Sequence, residues 1–131
     1  MASTPNIPRD AGRGTTAILL WATLLTSAVH FLDNAFRLDL YPGPVWLTRH
    51  GVLLAWLVLP VLAWVAYRSG TRVALLAYGA LGFAGFAHYH YLALHHHAMP
   101  LRCAATIFAE AIASAVLIAY VLFRGPFKPR V

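Results

Sequence analysis

The sequence predicts an all-α fold, an integral membrane four-helix bundle with both termini cytoplasmic. Of its 131 residues, 60% are hydrophobic and 11% charged, with a mean hydropathy of +0.67. An ordinary soluble domain is about half apolar and about a quarter charged. Four apolar segments each approach the roughly 20 helical residues that cross a bilayer core. The basic residues lie singly between those segments. A soluble enzyme, a disordered chain and a disulfide scaffold all fit poorly, the last because Cys103 is the single cysteine.

Each element follows in order. Residues 1–14, with Arg9, Asp10, Arg13 and two prolines, read as a flexible N-terminal tail. A single four-span domain, 15–123, comes next, and a basic C-terminal tail, 124–131, closes the chain. The first span is Thr15–Phe36. Its apolar run is longer than a signal peptide's and no A-x-A site follows, so it reads as retained. The second lies between Arg49 and Arg68, with Pro60 as a kink point. The third is Val73–Leu94 and the fourth Cys103–Phe123, opened by Pro100. Arg68-Ser-Gly-Thr-Arg72 is short enough to make spans two and three antiparallel neighbours. In the longer first connection, Tyr41 and Trp46 suit a headgroup layer. Gly79, Gly82 and Gly85 allow close helix approach. No hydrophobic heptad, low-complexity tract or internal repeat is seen.

Four spans put the N-tail, the second connection and the C-tail on one side. That side carries seven Lys or Arg, and the other carries three, Arg37, Arg49 and Arg102. The positive-inside rule then places both termini in the cytoplasm, in a bacterial inner membrane. The net charge of +6 thus reads as topology, with no nucleic-acid partner.

The rare polar groups gather toward the opposite side. All seven histidines lie in or next to the outer half of a span: His30, His50, His88, His90 and His95–His97. His30 and His88 each sit about 9 Å below the outer edge at 1.5 Å rise per residue, and Glu110 about 10 Å below it. His30, Asp33, Asn34 and Arg37 share one stripe of span one; Cys103, Thr106, Glu110 and Ser114 share one of span four. His90 points about 200° away from His88, so His88 is the one expected to face the site.

Ionisable groups inside spans are costly and mark functional sites. One reading is a transition-metal centre (Cu, Zn or Fe) held by His30, Asp33, His88, Glu110 and His95, with Asn34 orienting the ligands and Met99 and Cys103 as soft donors at the mouth. Another uses His30, Asp33, His88 and Glu110 as catalytic groups for proton chemistry on a lipophilic substrate. A third is b-type haem with His30 and His88 as axial ligands. Against these stand plain structural roles: interhelical hydrogen bonds for the histidines, and an i,i+4 pair of Asp33 with Arg37. Partners are membrane lipid or a lipophilic small molecule, or, for an accessory subunit, a second copy or a larger membrane complex.

The chain also resembles the four-helix EXPERA group, which includes sterol isomerases and the sigma-type sterol-binding receptor. The parallels are His30…Asp33 late in span one, Leu40-Tyr41-Pro42 and Pro44-Val-Trp46, Pro60…Ala66-Tyr67-Arg68-Ser-Gly70, and Phe123-Arg-Gly-Pro-Phe-Lys. The resemblance implies a lipid-facing pocket in which Asp33, with His88 or Glu110, handles protons or a ligand amine. The second span lacks the acid of that pattern.

Overall fold

The computed structural model describes residues 9–41, 44–95 and 98–124. Every regular element in them is helical: α1 (Arg9–Phe36), α2 (Arg49–Ser69), α3 (Arg72–Leu81), a 3-10 turn (Ala84–Phe86), α4 (Ala87–Leu94) and α5 (Leu101–Arg124). Three of these, α1, α2 and α5, are long and apolar enough to cross a membrane.

The helix ends follow local chemistry. The Thr48 hydroxyl accepts from the Gly51 amide at 3.1 Å and caps α2. Gly70 ends α2 at φ 57°, a left-handed conformation that costs glycine little, and its amide reaches the Ala66 carbonyl. Thr71 then caps α3 through the Ala74 amide. One glycine and one cap reverse the chain within three residues. Pro60 sits inside α2 without ending it.

Contacts at the two ends fix the topology. At one end, Arg13 donates to the Tyr67 hydroxyl, Tyr120 to the Gly12 carbonyl and Arg72 to the Leu122 carbonyl. The start of α1, the α2–α3 turn and the end of α5 therefore lie together. At the other end, Arg102 and Tyr41 both reach Asp33, and Arg49 reaches the Ala35 carbonyl. The chain thus runs up, down, up and down in four rods, as expected.

Two expectations are corrected. The first helix starts at Arg9, six residues before the predicted start of the first span, so it takes in residues 9–14; Met1–Pro8 lie outside the described residues. The third span is one rod in direction but not one helix. It breaks after Leu81 into tight i→i+3 turns, with Gly82 bonding Gly79, Phe83 bonding Ala80 and Phe86 bonding Phe83. Glycine weakens an α-helix by about 1 kcal/mol against alanine, and side chains three apart eclipse in 3-10 geometry. The tightening keeps Gly79, Gly82 and Gly85 on one face. Each meets a neighbour where a Cβ would stand: Gly79 meets Ile118, Gly82 meets Ser114, and Gly85 meets His30 and Ile107. The rod climbs along α5 on bare backbone.

The inner faces of α1 and α5 carry polar groups, and their outer faces are largely apolar. On α1 the buried positions include Thr16, Leu20, Thr23, Ser27, His30 and Asn34, while Ile18, Trp21, Leu25, Val29, Leu32 and Phe36 are exposed. On α5 the buried seam is Cys103, Ile107, Glu110, Ser114, Leu117 and Val121. Both seams step by four and three alternately, the spacing of a coiled-coil contact. Leu20, Ala63, Ala66, Leu75, Tyr78, Leu117 and Val121 form the apolar core at the end holding the α2–α3 turn. The buried ionisable groups His30, Asp33 and Glu110 occupy the other half.

The Gly82 contact gives a stability prediction. Gly82→Ala should lower stability by about 1–3 kcal/mol, because the methyl overlaps the Ser114 side chain. Gly79→Ala, which presses on the flexible Ile118 side chain at 2.7–3.3 Å and meets the Ser114 carbonyl at an ordinary 3.6 Å, should cost less. Adding Ser114→Gly to Gly82→Ala should recover most of the loss. Thermal melts of purified protein in detergent, followed by circular dichroism, read all three.

Candidate functional site

The site forms where the two seams carry ionisable groups at the same level. His30 and Glu110 are both buried, at 2% and 3% exposure. Nδ1 of His30 lies 2.5 Å from Oε2 of Glu110, a direct hydrogen-bond contact. A buried charge or polar group without a partner is costly, and each group here supplies the other's. The antiparallel register that joins them also sets Asn34 against Cys103, whose thiol lies 3.7 Å from Oδ1 of Asn34.

The third rod closes the site. Gly85 rests on the imidazole so closely that a Cβ there would lie 2.7 Å from Cε1 of His30. One turn later His88 comes from α4, its ring centroid 5.8 Å from that of His30 and edge-on to it. His90 is exposed. His88, and not His90, is the histidine placed beside His30, through a broken rod where the sequence predicts a regular helix.

A second polar group lies one turn beyond the pair. Oδ1 of Asp33 accepts from Nε of Arg102 at 2.6 Å and lies 3.3 Å from Nε of Arg37. Oδ2 accepts from the Tyr41 hydroxyl at 2.5 Å. Burial first, and then the bond to the Asp33 carboxylate, push the Tyr41 phenol above its ordinary range. Tyr41 is thus a buried partner of Asp33, whereas Trp46 is exposed.

No known family model, curated protein or solved structure matches this chain. The chemistry must be read from the residues alone.

Of the five residues expected to hold a metal, three come together: His30, His88 and Glu110. Asp33 is turned away, its two oxygens taken by two guanidiniums and a phenol. His95 is exposed at the end of α4, with Nδ1 on the Tyr91 carbonyl and its ring stacked on Tyr91. His96 and His97 lie outside the described residues. Among the described residues no group of three or more His, Cys, Asp or Glu is placed to hold a metal ion. The metal-binding arrangement expected from the sequence is therefore not assembled. His50 is exposed at the start of α2, apart from the site.

The arrangement is instead a carboxyl-oriented imidazole. With Nδ1 bonded to Glu110, the second ring nitrogen of His30 is the one left without a bond. That atom, Nε2, is buried and has no hydrogen-bond partner among the described residues. The hydroxyls of Ser27 and Ser114, one turn further along the two seams, are buried and unpartnered too. Arg102 and Tyr41 were not singled out from sequence as partners of Asp33. Ser27, in contrast, extends the His30 stripe at three-residue spacing and was visible in it.

The His30–Glu110 contact predicts strong coupling. His30→Ala and Glu110→Ala should each destabilise by about 1–3 kcal/mol, because each strands a buried group. The double variant should fall well short of the sum, giving a coupling energy above about 1 kcal/mol. A double-mutant cycle of melting experiments in detergent measures it.

Proposed function

We propose that the chain is an integral membrane protein whose outer half carries a proton-transfer site acting on a lipophilic molecule. The observation that carries this reading is the state of His30: Nδ1 held by Glu110, Nε2 buried and free. An imidazole oriented through one nitrogen by a carboxyl presents the other as a general base or acid. In this reading His30 exchanges a proton with the substrate, Glu110 orients the ring and balances its charge, and His88 relays the proton toward the rim.

The membrane placement is supported by the exposed apolar faces of α1, α2 and α5 and by the burial of polar groups between them. The end holding the α2–α3 turn carries most of the basic residues, which favours a cytoplasmic position for it and for both termini. The apolar cluster of Leu20, Leu75, Leu117 and Val121 packs between His30 and that end, and in this reading the substrate approaches from the outer half.

A second reading is a binding module without chemistry, as the EXPERA resemblance implies for sterols and other lipids. A cavity of about 400 Å³ between α1 and α2, walled by Leu20, Trp21, Leu24, Pro60 and Trp64, favours it. A rigid apolar ligand would suit that wall.

One experiment separates the two. Protein in nanodiscs prepared with total bacterial lipid extract is incubated in D2O, and the lipids are analysed by mass spectrometry. Proton chemistry should place deuterium on carbon in one lipid class, by a rate that falls roughly 100-fold or more in His30→Gln. Glu110→Gln should slow it as well. A lipid that is retained but gains no deuterium supports the binding module. No protein-dependent deuterium in any lipid overturns proton chemistry.

A further inference from the structure

The outer ends of α1 and α5 enclose a second cavity, of about 330 Å³, that the His30–Glu110 pair does not line. Asp33, Arg37, Arg102 and Thr106 form its polar side; Val29, Leu32 and Phe36 form its apolar side. The two arginines use only Nε on Asp33. Their terminal amino groups make no hydrogen bond among the described residues. The side chains are 39% and 64% exposed while the carboxylate is 3% exposed, so the guanidinium ends reach outward past the acid they neutralise. Two positive groups on one negative group leave one positive charge in excess within the cavity lining. Asp39, on the turn beyond Arg37, is exposed and lines no part of the cavity.

We propose that this cavity binds an anionic phospholipid, its phosphate on the terminal amino groups of Arg37 and Arg102 and its acyl chain along Val29, Leu32 and Phe36. A guanidinium fork matches phosphate oxygens in pairs of parallel hydrogen bonds, and Asp33 holds both forks at a fixed separation. The apolar wall continues directly from the cationic rim along the exposed side chains of Val29 and Leu32 on α1, while Phe36 carries the Arg49 guanidinium over its ring at 5.2 Å from the centroid. That continuity selects an anion carrying a chain over a free anion. The charge excess selects an anionic headgroup over a zwitterionic one. The site rests on the membrane placement proposed above and is independent of the proton chemistry.

Site-resolved labelling tests it. The full-length protein is placed in phosphatidylcholine nanodiscs containing a small fraction of phosphatidylglycerol with a photoreactive diazirine on its acyl chain. After illumination, the labelled residues are mapped by peptide mass spectrometry. The expected result is labelling within Val29–Phe36 that exceeds the label from a diazirine phosphatidylcholine by about tenfold, as two charge-assisted contacts imply. Arg37→Gln with Arg102→Gln should reduce it to the phosphatidylcholine level, while Arg124→Gln, exposed at the opposite end of α5, should leave it unchanged. Should the double variant lose helix content, Leu32→Glu provides the second test: it puts an acid on the cavity wall without touching the partners of Asp33, and should also abolish the preference. Equal labelling by both lipids, or a preference that survives these substitutions, overturns the proposal. Loss of labelling on adding inorganic phosphate at the lipid's concentration overturns it in favour of a free-anion site. None of these readouts depends on deuterium exchange.

Discussion

His30 and Glu110 sit where water does not reach, so each must be satisfied by the other, and that requirement fixes α1 against α5. A shift of one residue in either helix would turn one group away by about 100° and leave two buried ionisable groups unpaired. The rest of the polar half depends on the same alignment. Asn34 meets Cys103, and Arg102 reaches Asp33, because α5 stands at the height its bond to His30 dictates. Gly85 and His88 can approach the imidazole because the pair holds it in place.

The bundle is accordingly built in two storeys with different adhesives. The half near the α2–α3 turn is held by apolar packing around Leu75, Leu117 and Val121, all fully buried. The other half is held by directional contacts among ionisable groups, with Tyr41, Cys103 and Ile107 as its small apolar patch. Directional contacts specify geometry more sharply than apolar contact does, and they fail more completely when one member is lost. An active group benefits from the first property, and its neighbours must tolerate the second.

Much of this was legible in the sequence, and the remainder was hidden for physical reasons. α2 and α5 begin and end within two residues of the expected bounds, because charges and caps punctuate long apolar runs. The common level of His30, His88 and Glu110 followed from counting residues along helices. The seams of α1 and α5 escaped notice as heptads because Thr16, Thr23, Ser27 and His30, or Cys103, Glu110 and Ser114, occupy their inward positions. A search for apolar periodicity sees instead the outward residues such as Trp21 and Leu25, which mark the wrong face. The sequence offers Arg37 as the structural partner of Asp33 because that neighbour is local, and the pair is present at 3.3 Å. Arg102 is 69 residues away in the chain, and pairing across such a distance needs the packing register, which local spacing does not contain. The break in the third rod lay within reach, since three glycines at three-residue spacing suit a 3-10 turn, but a hydrophobic pattern alone favours one continuous helix.

The break also serves as a phase corrector. A continuous α-helix through residues 79–88 would rotate its successive third residues progressively off the α5 face, by about 60° each time. Six residues after Gly79 that drift would carry Gly85 well to the side, and the histidine that follows would leave the imidazole it now faces. Three residues of tighter winding cancel much of the drift with no change in chain length. The backbone geometry at Ala84–Phe86 thereby sets the azimuth of His88, and an insertion or deletion of one residue there would reassign which side chain of α4 looks inward.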